Sequence, residues 1–360
     1  MVLAQVVPAL VGCQVSPAPD APAEDDTATT QVSPAGSAPR AVSPDDAIKR
    51  VLAISVDGLN PRAIRKLGPT GAPTFHRLMR EGAWTFNART ERESTSTLPN
   101  HTGMLTSRRV DARHGGHGVT FNSDDGTTVH RAAGRYVSSV FDVVHDRGGS
   151  TALFSAKAKF RFYQRTWNAN GARDRVGVDN GRAKIDRVTI DENDDRLVAS
   201  VNAELRRSPR QFTFVHIALP DEAGHRHGFM SQPYVAAVRQ TDRLLGSMLK
   251  SITDRPVLRR QLLVVVTSDH GGNEASHSTV TKLQNQRIPF MVWGPGVAAG
   301  KNLHSLNQSF RSPGSGRPSY SGKQPVRNGD LANLVTDVLD LPKVPGSELN
   351  AQRRLDVFGR

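Results

Sequence analysis

The sequence predicts an α/β domain with a mostly parallel central sheet and helices on both faces. Two observations favour this fold class. Short apolar runs rich in Val, Ile and Leu are typical of strands that are covered on both faces, and amphipathic helical patterns lie between these runs. Strands that alternate with helices along a chain pack as layers, with the helices against the sheet.

Five apolar runs are predicted to form strands. Three of them end in an acid: residues 51–57, 212–221 and 262–269 close with Asp57, Asp221 and Asp269. The other two are residues 151–155 and 289–293. Because ligands of open α/β sheets bind at the carboxyl ends of the strands, the three acids are expected to share one edge.

Three segments have the residue spacing of amphipathic helices. In residues 234–252 the apolar side chains form one stripe, while Arg and Asp residues lie on the opposite side. Residues 74–81 and 330–339 show a similar pattern. These segments are expected to cover the faces of the sheet.

The composition limits the class of protein. The 360 residues include 47 Lys and Arg against 34 Asp and Glu, which gives a net charge of +13. The basic residues are scattered and no aromatic stripe accompanies them, so the charge favours attraction of small anionic substrates over specific nucleic-acid binding. The single cysteine, Cys13, excludes an internal disulfide and a cysteine-based zinc site.

The N-terminal region predicts export. Residues 1–15 form a short apolar stretch that ends near Cys13 and resembles a bacterial lipoprotein signal, although no basic residue precedes it. Residues 16–46 are rich in Pro, Ala, Ser and Thr and are expected to be a disordered tether. Residues 47–345 are the predicted catalytic domain and residues 346–360 a C-terminal tail. A secreted or cell-surface protein, with a possible lipid on Cys13, is expected.

Histidines follow the acids at the strand ends. Asp221 opens Asp-Glu-Ala-Gly-His225, and Asp269 opens Asp-His270-Gly-Gly, with His277 soon after. Carboxylates and imidazoles are ligands that a pair of divalent cations requires, and two such ions can clamp the oxygens of a phosphoryl transfer. Each residue alone has an ordinary structural explanation, but the joint pattern predicts a two-metal site.

The segment Ser94-Thr-Ser-Thr97-Leu-Pro-Asn-His101 supplies a candidate nucleophile. Pro99 suits the first turn of a helix, and the positive potential at a helix N-terminus favours an alkoxide and an incoming phosphate. Thr97 is therefore a candidate nucleophile, although a Thr at this place also suits a simple helix cap.

Taken in order, these motifs resemble the alkaline phosphatase superfamily, and most of all its type I phosphodiesterase/nucleotide pyrophosphatase branch. The resemblance implies an alkaline-phosphatase-like fold and a hydrolase of small anionic phosphate esters that forms a covalent phospho-threonine on Thr97. It implies one metal held by Asp57, Thr97, Asp269 and His270, and a second metal, which activates water, held by Asp221, His225 and His277. Zinc is the expected metal, with manganese or iron as alternatives.

The resemblance leaves several assignments open. His304 rivals His277 as the last ligand. Asn122 lies where the family has an Asn that donates to a phosphate oxygen, although an ordinary turn residue fits there too. Lys157 and Lys159 resemble a basic pair of phosphomonoesterase and phosphonoacetate hydrolase relatives, which makes such an enzyme the alternative function. A non-catalytic basic binding module is a distant alternative, and a sulfatase is disfavoured because its Cys/Ser-x-Pro-x-Arg segment is absent from the sequence.

Overall fold

A computed structural model of the chain describes residues 48–172, 181–349 and 351–360. The predictions for residues 1–15 and 16–46, including the lipid on Cys13, lie outside the described residues. Among the helices described, none combines the length and the apolar character that crossing a membrane requires.

The centre of the fold is a seven-stranded sheet with the strand order β2-β7-β6-β1-β5-β3-β4. Strands β6, β1, β5, β3 and β4 are parallel, which confirms the predicted fold class. The strands are β1 Arg50–Val56, β2 Ala83–Arg89, β3 Thr151–Ser155, β4 Arg187–Ile190, β5 Phe212–Ile217, β6 Leu262–Thr267 and β7 Arg287–Trp293.

All five predicted strands are present, but two features differ from the expectation. The run at residues 289–293 belongs to β7, which pairs antiparallel with β6 and with β2. Strands β2 and β4 were not predicted, because they form the two edges of the sheet. Their side chains are partly exposed, so their sequences lack a continuous apolar run.

Helices cover both faces of the sheet, and the three predicted helices correspond to α9, α2 and α13. The side chains of β1 alternate between two apolar clusters, with Val51 and Ala53 in one and Leu52 and Ile54 in the other. The helices are α1 Pro61–Gly71, α2 Pro73–Glu81, α3 Thr97–Thr106, α4 Val129–Ala133, α5 Val140–His145, α6 Arg161–Gln164, α7 Asp194–Arg207, α8 Leu219–His227, α9 Gln232–Thr253, α10 Pro256–Gln261, α11 Leu283–Gln286, α12 Leu303–Leu306 and α13 Leu331–Val338.

The described part of residues 346–360, expected from sequence to be a tail, packs against the domain. Leu355 and Val357 are buried in the core, and the carbonyl of Val357 accepts a hydrogen bond of 3.0 Å from the backbone of Ala298. Few apolar residues occur in this segment, and they show no helical or strand period, so the sequence pattern does not reveal its packing.

The turn after β1 rests on a buried tyrosine of α9. The hydroxyl of Tyr234 accepts a hydrogen bond of 2.8 Å from the amide of Asn60 and donates one of 2.7 Å to the carbonyl of Gly58. Both backbone groups lie next to Asp57 and away from water. One phenol therefore fixes the turn that carries the first acid of the site.

We expect Tyr234→Phe to lower the free energy of unfolding by about 1–3 kcal/mol, because it leaves a buried N–H and a buried carbonyl without their partner. Urea denaturation of the full chain measures this loss. Equal stability of Tyr234→Phe and the wild type would contradict the assigned role.

Candidate metal centre

The carboxyl ends of neighbouring strands bring the predicted acids together. Asp57 follows β1, Asp269 lies two residues beyond β6, and Asp221 lies in the first turn of α8, just after β5. Gly58 makes this approach possible: its φ is +67°, and a Cβ at this position would lie 3.0 Å from the Cα of Asp221. A side chain at position 58 would therefore push two of the acids apart.

The first candidate ligand group consists of Asp57, Asp269 and His270, and all three side chains are fully buried. The Nε2 atom of His270 lies 3.2 Å from Oδ1 of Asp57 and 3.2 Å from Oδ2 of Asp269. Two carboxylates and one imidazole at this spacing are a ligand set that suits a divalent cation.

The second group consists of Asp221, His225 and His277. Oδ1 of Asp221 lies 3.4 Å from Nε2 of His225 and 3.7 Å from Nε2 of His277. Burial and the charge of His270 lower the pKa of His277 to about 3, so its ring is neutral, as a metal ligand must be. The two groups adjoin, since Nε2 of His270 lies 3.8 Å from Oδ1 of Asp221.

One oxygen of each buried carboxylate is held by the protein. Oδ1 of Asp269 accepts hydrogen bonds from the amides of Gly58 at 3.1 Å and of His270 at 2.9 Å. Oδ2 of Asp57 accepts a hydrogen bond of 2.9 Å from Nε2 of His216. Oδ2 of Asp221 accepts one of 2.6 Å from Nζ of Lys157.

The second oxygen of each carboxylate is buried and has no hydrogen-bond partner among the described residues. Buried polar atoms are nearly always paired, so such a cluster requires an explanation. A cation-binding centre provides one, because metal ligands keep their coordinating atoms free of hydrogen bonds. The uncommitted atoms are Oδ1 of Asp57, Oδ1 of Asp221, Oδ2 of Asp269 and Nε2 of His270.

The electrostatics of the cluster show how strongly the acids interact. Burial alone would raise the pKa of Asp57, but Lys157, His216 and His270 hold it well below its usual value. Burial and the negative charge of Asp57 raise the pKa of Asp269 well above its usual value. Burial would lower the pKa of His270, yet the charges of Asp269 and Asp57 raise it to about 9. Lys157 offsets part of the negative charge of this cluster, and a divalent cation would offset more of it.

The candidate nucleophile lies at the N-terminus of α3, beside both groups. Ser96 is the N-cap residue and Thr97 the first residue of the helix, so Thr97 is not the cap. Thr95, two residues before Thr97, exchanges two hydrogen bonds with His277 of the second group. Within α3, the carbonyl of Thr97 lies 2.8 Å from Nδ1 of His101, whose ring lies 3.6 Å from Asp269 of the first group. These contacts tie the position of Thr97 to both groups.

The remaining predicted residues separate into those near α3 and one remote residue. Oδ1 of Asn122 accepts a hydrogen bond of 3.0 Å from the amide of Leu98 and lies 3.4 Å from Nζ of Lys159. The amide group of Asn122 thus remains available as a donor. His304 lies instead beside Thr85 and the amide of Val326 and belongs to neither ligand group. The geometry brings His277, not His304, to the other ligands.

Sequence reasoning missed two buried residues that support the site. His216, in the middle of an apolar strand, is hydrogen-bonded to Asp57, and its Nδ1 lies 3.2 Å from the hydroxyl of Ser155. The side-chain amide of Asn328 donates to the side chain of Asn100 at 3.0 Å, which links its segment to α3. A polar residue inside the run Phe212–Ile217 was the available signal for His216, whereas nothing local marks Asn328.

Comparison with known proteins agrees with this geometry. The family model described as type I phosphodiesterase / nucleotide pyrophosphatase matches residues 51–299. Mouse (Mus musculus) ectonucleotide pyrophosphatase/phosphodiesterase family member 1 is 22% identical over 226 residues, which are 62% of this chain and 24% of that protein. The chain thus spans about a quarter of the length of this curated relative.

Solved structures show the same fold. Murine ectonucleotide pyrophosphatase/phosphodiesterase 5, an inactive variant in complex with AMP, matches with a TM-score of 0.58 at 13% identity, over 82% of this chain and 96% of that one. Human ectonucleotide pyrophosphatase/phosphodiesterase 5 matches with a TM-score of 0.56 at 14% identity, over the same shares of the two chains. The family match and the fold together place the chain in the alkaline phosphatase superfamily. Within it, the chain belongs to the type I phosphodiesterase/nucleotide pyrophosphatase family.

The choice between His277 and His304 can be tested by metal binding. We expect His277→Ala to lower the affinity of one of two zinc ions by at least about 10-fold, because an imidazole ligand is lost. His304→Ala is the matched control and should leave both affinities unchanged. Calorimetric titration of the metal-depleted full chain with zinc and with manganese measures both. A larger loss in His304→Ala than in His277→Ala would reverse the assignment.

Proposed function

We propose that this protein hydrolyses phosphate esters through a covalent phosphoryl intermediate on Thr97, at a site that binds two divalent cations. The observation that carries the proposal is the cluster of three carboxylates, each with one held oxygen and one buried, uncommitted oxygen. Asp57, Asp269 and His270, together with the Thr97 hydroxyl, would hold one cation. Asp221, His225 and His277 would hold the other.

The position of Thr97 suits a nucleophile. Its side chain is buried at the first turn of α3, where the positive end of the helix dipole favours negative charge on an alkoxide and on an incoming phosphate. When bound, the cations would lower the pKa of the hydroxyl and offset the charge of the substrate. Asn122, anchored by Leu98, would donate its amide to a phosphate oxygen. As the bond from the Thr97 oxygen to phosphorus forms, the bond from phosphorus to the leaving oxygen would break and the alcohol would depart. Water would then break the bond between Thr97 and phosphorus, which would release a phosphate monoester from a diester substrate and inorganic phosphate from a monoester substrate.

Phosphodiesters and pyrophosphates are the substrates that we infer first. The family to which the chain belongs is named for both, and a solved relative with the same fold is in complex with AMP. We therefore infer that a nucleotide is one of the two groups that the substrate's phosphorus carries, either the group that leaves or the group that stays on phosphorus. The net charge of +13 favours the approach of such anions.

Lys159 supports a second candidate, a phosphomonoesterase or a phosphonoacetate-hydrolase-like enzyme. Its ammonium lies 3.4 Å from Oδ1 of Asn122, so it would contact the additional negative charge of a monoester or of a carboxylate. Lys157 has a different environment, because its ammonium lies 2.6 Å from Oδ2 of Asp57 and 2.6 Å from Oδ2 of Asp221. Of the two lysines, Lys159 is therefore the better candidate for a direct substrate contact.

The direct experiment compares hydrolysis of 4-nitrophenyl phosphate with that of bis(4-nitrophenyl) phosphate by the full chain. Zinc, manganese or iron is added in separate assays, and a chelator is added afterwards. Chelator-sensitive turnover supports the proposal, and the ratio of the two kcat/KM values distinguishes the diester from the monoester enzyme. No turnover of either ester with any metal would favour the non-catalytic binding module.

We expect Thr97→Ala to lower kcat by about 1000-fold or more, because the nucleophile is lost. Zinc content should fall little, since Asp57, Asp269 and His270 remain. Thr97→Ser, which keeps a hydroxyl, is the matched variant and should retain measurable turnover and a phosphate label after acid quench. Thr97→Ala with wild-type turnover would eliminate Thr97 as the nucleophile.

We expect Lys159→Ala to lower kcat/KM for the monoester by about 10-fold or more and for the diester by much less, because one charge-assisted contact is lost. Lys157→Ala should instead weaken zinc binding or impair both reactions alike, since Lys157 contacts two ligand carboxylates. The paired assay above measures both variants. Equal losses on the two esters in Lys159→Ala would exclude a role in substrate choice.

A further inference from the structure

Basic side chains cluster at the end of the sheet that is opposite to the ligand groups. Four of the five parallel strands begin in register: Val51 is opposite Phe212 and Leu263, and Thr151 is opposite Phe212. The segments that lead into these strands are rich in Lys and Arg. We call their exposed side chains the basic face: Lys49, Arg147, Arg206, Arg207, Arg259 and Arg260.

Contacts join three of these segments, those that precede β1, β5 and β6. The guanidinium of Arg50, at the start of β1, donates to the carbonyl of Pro209 at 3.2 Å and to the side chain of Gln261 at 3.2 Å. Arg255 donates to the carbonyl of Leu205 at 2.9 Å, which joins the segment before α10 to the end of α7. Half-buried arginines therefore connect the segments on which most of the exposed ones lie.

Acidic side chains nearby offset only part of this charge. Glu204 is buried and paired with Arg187 and Arg210, and Asp254 is paired with Lys250. Asp186 is exposed, and Asp146 is paired with Lys184. None of these acids has a short ion pair with a member of the basic face among the described residues.

Helix C-termini account for only part of the positive charge of the basic face. Arg206 and Arg207 lie in the last turn of α7, and Arg259 and Arg260 in that of α10, where cations stabilise the helix dipole. Each dipole carries only about half a negative charge at its end, so two helices leave most of this charge uncompensated. Lys49 and Arg147 lie outside helices.

We propose that the basic face docks on an anionic lipid surface. Two observations favour lipid over other polyanions. The described chain enters the domain at this face, through Lys49, and it is preceded in sequence by the predicted tether and by Cys13. Val257, in α10 beside Arg259 and Arg260, is 50% exposed, one of two large hydrophobic side chains that are exposed in the described residues. A basic surface with an exposed apolar side chain suits the headgroup region.

The docked orientation would suit the proposed reaction. The ligand groups lie at the carboxyl ends of the strands, and a strand of six residues such as β5 spans about 20 Å. The docked sheet would therefore keep the open side of the site away from the anionic headgroups, which would otherwise compete for the cations. The inference itself does not depend on the reaction.

The test is cosedimentation of the full chain, carrying Cys13→Ser to prevent acylation, with lipid vesicles. One set of vesicles contains equal parts of phosphatidylglycerol and phosphatidylcholine, and the other contains phosphatidylcholine only. We expect binding to the anionic vesicles alone, weakened at high ionic strength. Reversal of Arg147, Arg207, Arg259 and Arg260 to Glu should lower the affinity by more than about 10-fold, because each basic residue contributes near a charged surface.

The matched control reverses four exposed basic residues outside the basic face to Glu: Arg62, Arg131, Lys282 and Arg311. This control has the same net charge as the first variant and should retain most of the vesicle binding. Equal loss in both variants would show that net charge alone governs binding and would overturn the proposal. So would wild-type binding to neutral vesicles that equals binding to anionic ones, or tighter binding to duplex DNA than to anionic vesicles at the same salt.

Discussion

The structure depends on the close approach of three buried carboxylates. Asp57, Asp221 and Asp269 repel one another, and burial together with the negative charge of Asp57 raises the pKa of Asp269 well above its usual value. The surrounding protein fixes one oxygen of each acid through a backbone amide, an imidazole or an ammonium. The other oxygens are thereby directed to a common centre. Positive charge at that centre is what makes the arrangement favourable.

The fold resolves this constraint by placing the acids on different elements. A strand end, the first turn of a helix and a loop each contribute one carboxylate, so the acids approach from separate directions. Parallel strands in register make this possible, because their carboxyl ends lie side by side. The Gly58 turn and Tyr234 beneath it are the local adjustments that the approach requires. The same few turns therefore contribute both to the stability of the fold and to the positions of the acids.

The sequence predicted the features that depend on local patterns. Continuous apolar runs identified the inner strands, and the order of motifs after them identified the ligand candidates that the structure brings together. Features that depend on tertiary contacts could not be predicted from the sequence. The edge strands β2 and β4 lack a buried pattern, the direction of β7 depends on its partner, and the link from Asn328 to Asn100 joins segments 228 residues apart. The role of His216 was not predicted, because a single polar residue inside an apolar strand forms no repeating pattern.

The ion pairs of Lys157 limit how this site can evolve. The same ammonium touches one carboxylate of each ligand group, and the backbone amide of Lys157 donates to Ser155, whose hydroxyl adjoins His216. A mutation selected at position 157 for a new substrate would also change the surroundings of both ligand groups. Its effects would therefore be epistatic with those at Ser155 and His216. Diversification of substrate range in this lineage should proceed first through residues that are farther from the carboxylates.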